Sequence, residues 1–100
     1  MYQIYIDTSD RNIKKVQLLK DGEMFDELSG DIDVVSSIRN ILEKNSLKIS
    51  DIGEFKMNEG PGSFTGLKAG AAVVNALNWS VVKKDPKDII TPKYQPSKFD

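Results

Sequence analysis

Gly60-Pro61-Gly62-Ser63-Phe64-Thr65-Gly66-Leu67-Lys68-Ala69-Gly70 decides how this chain folds, because it runs from a sharp turn directly into a helix with almost no charge. Glycine reaches backbone conformations closed to other residues and proline fixes one torsion, so Gly60, Pro61 and Gly62 read as a turn ending at Ser63. The Ser63 hydroxyl is then placed to cap a helix starting at the next residue. That helix, expected over about Phe64 to Trp79, has only Thr65, Lys68, Asn75 and Asn78 as clearly polar side chains. Gly66, Ala69, Gly70, Ala71, Ala72 and Ala76 keep it narrow. A helix apolar almost all round is buried on more than one side. Either a second helix of the same chain or another protein covers the far side, and the two readings can coexist.

Working towards the N-terminus, Tyr2 to Ile6 alternates, with Tyr2, Ile4 and Ile6 on one face and Gln3 and Tyr5 on the other, which predicts a half-buried strand. Lys14 to Lys20 and Glu23 to Leu28 flank Asp21-Gly22, a two-residue hairpin signal, and become antiparallel strands. From Asp31 the period changes. Val34, Val35, Ile38, Ile41 and Leu42 recur at helical spacing, with Asp31 or Asp33 as N-cap and Asn45 near the end. Leu47 and Ile49 belong to a connection ending near Ile52-Gly53, after which Phe55 and Met57 alternate with Glu54, Lys56 and Asn58 in a fourth strand. Residues 83–100 carry three prolines and five lysines, and only Ile89-Ile90-Thr91 suits a short edge strand.

Strand, strand, strand, helix, strand, helix is the resulting order. Right-handed crossovers put both helices on one face of a mixed sheet of four to five strands. The other face is expected to be wet, with Gln3, Tyr5, Gln17, Glu54 and Lys56 supplying its polar side chains. This divides the chain into one α/β domain, 1–82, and a tail, 83–100.

The chain has 100 residues, 14 basic and 15 acidic, for a net charge of −1. That balance gives no electrostatic ground for a strong direct grip on nucleic acid, tRNA included, or on an anionic membrane. Cysteine and histidine are absent, which removes disulfides, thiolate nucleophiles, imidazole bases and the commonest zinc ligands together. The residues point to no metal and no cofactor. The N-terminal stretch is too short and too polar for a signal peptide, so the chain reads as cytoplasmic.

Two loops could touch phosphate or be purely structural. Gly60, Pro61, Gly62 and Ser63 precede a helix whose free amides attract anions, yet the Lys-Ser/Thr pair of a Walker sequence is missing. Asp7, Thr8 and Ser9 come directly after the first strand. Their bland reading is an Asx or Ser/Thr turn. With no histidine in the chain and no obvious lysine to activate Ser63 or Thr65 as nucleophiles, their reading is as helix-capping residues.

Taken together, Ile6-Asp7-Thr8-Ser9, the Asp21-Gly22 hairpin, the glycine-turn string through Lys68 and Ala76-Leu77-Asn78-Trp79 resemble the bacterial TsaB (YeaZ-like) family, which serves the synthesis of threonylcarbamoyladenosine in tRNA. The resemblance covers about the first eighty residues. It implies the N-terminal domain of the actin-like ATPase (RNase H-like) fold and a non-catalytic subunit that dimerises with the enzyme TsaD, with a TsaE-like ATPase as a further partner. The implied partner surface is the helix pair. Its candidate residues are Ile38, Ile41 and Leu42 on the first helix and Lys68, Ala72, Asn75, Ala76 and Trp79 on the second. Two departures stand out. Family members continue into a second domain, and the segment opening the first helix, often with histidine and serine, here reads Asp31-Ile32-Asp33-Val34-Val35-Ser36.

Other functions remain in play. One is a stand-alone homodimeric module using the same helices. Another is an ATP-dependent transferase or a metallopeptidase relative, although the first closes two lobes around nucleotide and the second wants clustered metal ligands.

Overall fold

The computed structural model describes residues 1–83. Its sheet has four strands: β1 (Tyr2–Asp7), β2 (Lys14–Lys20), β3 (Glu23–Gly30) and β4 (Ile52–Met57). They lie in the order β3-β2-β1-β4, antiparallel except for the parallel β1–β4 pair. Asp21-Gly22 turns the β2–β3 hairpin as expected, both residues having positive φ. Ile89-Ile90-Thr91 and the rest of the tail lie outside the described residues.

Two helices cover one face. Helix α1 (Val34–Lys44) is capped by Asp33, whose carboxylate accepts from the Ser36 amide at 2.9 Å. It lies over β2 and β3. Helix α2 (Phe64–Leu77) is capped by Ser63, whose hydroxyl accepts from the Gly66 amide at 3.2 Å, and it lies against β4. Ile4, Ile6, Val16, Leu18, Phe55 and Met57 from the sheet pack with Val34, Ile38, Ile41, Leu67, Ala71 and Val74 from the helices in one core. This is the expected α/β domain, a mixed sheet with both helices on one side.

Four details depart from the expected elements. Val35 is 61% exposed, because α1 turns Val34, Ile38 and Ile41 to the sheet and leaves its other apolar side chains on a flank. Ile52 is the buried first residue of β4 rather than part of a connection, and a 3-10 turn, Ile49–Asp51, leads into it. The second helix ends two residues early, at Leu77, and continues as a π-helical turn, Asn78–Val82. On the wet face Gln3 is only 9% exposed. It sits on the central strand between Leu19 and Glu54, and its amide donates to Glu54 at 3.0 Å.

Candidate functional site

The helix-bearing face carries the candidate site, an open apolar groove of about 700 Å³ between α1 and α2. Val35, Ile38 and Leu42 line it from α1, and Ala72, Val73, Ala76 and Leu77 from α2. Leu47 and Ile49, from the connection after α1, line it as well. Arg39 and Glu43 are its charged residues. The groove exists because α2 presents alanines where a bulkier helix would close the gap. Narrow side chains leave the outer halves of two neighbouring helices unable to meet.

The sequence-derived surface residues divide into three groups. Ala72 and Ala76 are exposed and line the groove. Ile38 and Leu42 form its floor and are nearly buried, while Ile41 has no exposed surface and belongs to the core. Ile41 is therefore no surface residue. Its position one turn after Ile38 carries it under the helix, onto the sheet. Lys68, Asn75 and Trp79 are not among the residues that line the groove. Trp79, in the π-helical turn, is nevertheless 67% exposed.

Val35, Val73, Leu47 and Ile49 are groove residues that sequence reasoning did not single out. The signal for Val35 was present, since Val35, Ile38 and Leu42 have a three-and-four spacing that defines a stripe beside the core-facing one. Nothing local marked Leu47 and Ile49.

The two polar loops form one structural unit. Thr8 Oγ1 donates to the Gly66 carbonyl at 2.6 Å, and the Ser63 amide donates to the Ser9 carbonyl at 2.8 Å. A β-carbon on Gly66 would collide with the Thr8 carbonyl, and one on Gly62 would lie 2.5 Å from Ser9 Cβ. The glycines thus let α2 dock directly on the end of β1. Asp7 accepts from the Ser9 hydroxyl at 2.6 Å and amide at 2.9 Å, and from Asn58 Nδ2 at 3.3 Å. Partial burial pushes the Asp7 carboxyl up, but the Ser9 and Asn58 bonds and the Lys15 charge outweigh it and hold it below its ordinary value. The amides of Ser9, Gly60, Ser63 and Gly66 are all engaged within the protein, Gly60 with Asn58 Oδ1 at 3.1 Å. That arrangement favours the structural reading of Asp7, Thr8, Ser9, Gly60, Pro61, Gly62 and Ser63.

Among the described residues no three histidine, cysteine, aspartate or glutamate side chains converge as metal ligands would. The donor set of a catalytic metal is therefore not assembled by residues 1–83. No helix among them is long and apolar enough to cross a membrane.

No protein among the curated ones matches the chain in sequence. Among solved structures, a Pseudomonas aeruginosa protein described as uncharacterized with similarity to peptidase YEAZ superposes with a TM-score of 0.72 at 23% identity, over 80% of this chain. YeaZ from Pseudomonas aeruginosa gives the same TM-score, identity and coverage. This chain spans 39% of the length of each. The family model for TsaD, tRNA N6-adenosine threonylcarbamoyltransferase, matches residues 32–84, which hold both helices, β4 and the glycine turn. With over half its length matched by that model, the chain belongs to the TsaD family, and its fold is that of the YeaZ structures.

Proposed function

We propose that this chain is a non-catalytic partner subunit in tRNA threonylcarbamoyladenosine modification, dimerising through the α1–α2 face with a TsaD-like enzyme. The observation that carries the reading is the groove: apolar side chains of both helices converge on an open cleft that the described residues leave uncovered. Large apolar surfaces of this kind mark association sites. Val35, Ile38, Leu42, Ala72, Val73 and Ala76 form the contact, and Trp79 extends it where the partner wraps the outer shoulder of α2. The enzyme, not this chain, supplies the metal, the activated threonylcarbamoyl group and the tRNA-reactive site. A TsaE-like ATPase is a further candidate partner, and the protein works in the cytoplasm.

A second reading has a homodimer using the same groove. Mixing the chain with its cognate TsaD-like enzyme and measuring mass by light scattering separates the two. A one-to-one heterodimer is expected. A homodimer that persists unchanged in the presence of the enzyme would favour the second reading. Metallopeptidase activity, suggested by the wording attached to one structural neighbour, lacks a metal-ligand cluster among the described residues.

A further inference from the structure

Helix α1 carries the charged side chains Arg39, Glu43 and Lys44. Lys44 is engaged inside the protein, 3.2 Å from the Asp26 carboxylate. Arg39 and Glu43 are exposed, lie about one helical turn apart and both line the groove. Neither side chain makes a hydrogen bond or an ion pair among the described residues, and Arg39 acts on Asp33 only through space. Their spacing lets them reach each other, but arginine before glutamate is the poorer order for such a pair, since each charge then opposes the helix dipole.

The charges of the groove are also one-sided. On the α2 wall Ala72, Val73, Ala76 and Leu77 offer none. A smaller hollow of about 230 Å³ shares Val35 and Val73 with the groove and adds Lys14 and Asp33. Both of these are engaged within the chain: Lys14 Nζ donates to the Arg11 carbonyl at 3.2 Å, and Asp33 caps α1. Arg39 and Glu43 are therefore the groove charges left for an outside partner. From Val35 to Glu43 the groove follows α1 for about 12 Å, the length of roughly two turns of a docked helix. Apolar walls hold such a helix without fixing its register or direction, whereas charges at the margin of a contact fix both.

Resting on the proposed partnership with a TsaD-like enzyme, we propose that Arg39 and Glu43 set how the enzyme docks. The segment it lays in the groove is an amphipathic helix, with a carboxylate against Arg39 and a cation against Glu43, one turn apart beside its apolar face.

The double variant Arg39→Glu with Glu43→Arg exchanges the two charges and leaves the net charge as it was. It also gives α1 the favourable order of an i, i+4 pair, so the domain should melt no lower than wild type. Each chain is titrated calorimetrically against the cognate TsaD-like enzyme at low and high salt. The exchanged chain should bind at least about tenfold more weakly at low salt, because close interfacial charges now meet like charges, and the gap should shrink at high salt. Arg11→Glu, a reversal on an exposed loop outside the groove, should bind as wild type does. Ala72→Arg reports separately on the groove. Binding lost in Ala72→Arg but within about threefold of wild type in the exchanged chain would overturn the charge assignment and leave the groove's role standing. A wild-type chain that does not bind the enzyme would overturn both. If it and the exchanged chain self-associate equally instead, the groove takes a second copy, because an antiparallel two-fold pair matches position 39 of one copy with position 43 of the other in either order.

Discussion

Replacing Gly66 with alanine tests whether the glycine turn exists to dock α2 on β1. The added methyl would strike the carbonyl oxygen of Thr8, a backbone atom held in place by the end of β1, and would come within 3.3 Å of the Thr8 carbonyl carbon. Overpacking against a fixed backbone costs about 1–3 kcal/mol. To escape, α2 must move outward, which strains the 2.6 Å bond from Thr8 Oγ1 to the Gly66 carbonyl. Thr8 is buried, and leaving such a group unpaired costs about 1–3 kcal/mol more. The sum is about 2–6 kcal/mol. In a domain of this size each kcal/mol moves the melting temperature by roughly 4–8 °C. Gly53→Ala is the internal control. Its β-carbon would collide with the Cγ and Sδ of Met1, an exposed and flexible side chain, and meet the Tyr2 carbonyl oxygen at an ordinary 3.7 Å, so a loss under about 1 kcal/mol is expected. Urea unfolding of both variants, monitored by circular dichroism, measures the difference. Equal losses, or a Gly66→Ala variant within about 1 kcal/mol of wild type, would refute the docking role.

Three further outcomes are expected. Ala72→Arg puts a long charged side chain into the groove, where an unpaired buried charge costs about 3–5 kcal/mol, on the order of a thousandfold in affinity. Association should fail with the melting temperature unchanged, and an unfolded variant would place Ala72 in the core. Asp33→Ala removes the α1 cap and should cost about 1 kcal/mol in chemical denaturation, a cost that Asp33→Asn largely avoids. Equal losses for both would show that charge, not capping, matters there. Asp7, held low by its Ser9 and Asn58 bonds despite its burial, and Asp33, held low by the Ser36 hydroxyl and amide, both lie below the ordinary value of 3.8. The unfolded chain therefore takes up protons first on acidification, so the stability these carboxylates supply is present above that value and disappears as pH falls through their folded values. Melting curves down to about pH 2.5 should show this acid limb, shallower in Asp7→Asn. Superimposable limbs would contradict it.

The architecture was legible because each local signal agreed with the global fold. Asp21-Gly22 fixed a hairpin register, Asp33 and Ser63 marked helix starts, and the shift from alternating to helical spacing after Asp31 placed α1. The site was legible only in outline. An apolar helix announces that something covers it, but the residues that line a groove depend on how two helices sit side by side. That is why Ile41 fell to the core and Val35 to the surface. The π-helical turn carried no local signal at all, and the bonds of Asn78 with Phe55 that accompany it join residues 23 positions apart. The contacts of Thr8 with Gly66 and Gly70 join residues more than fifty positions apart, and no sequence pattern states them.

The central claim, that the α1–α2 face binds a TsaD-like enzyme and serves tRNA modification, is tested most directly by reconstitution. The chain and its Ala72→Arg variant would each be combined with the cognate TsaD-like enzyme, the other proteins of the pathway, ATP, threonine, bicarbonate and tRNA, and threonylcarbamoyladenosine measured by mass spectrometry. The wild-type chain should form a heterodimer and raise modification well above that of the enzyme without it, and the variant should do neither. Modification that proceeds equally with wild type, with the variant or with no chain at all would contradict the account.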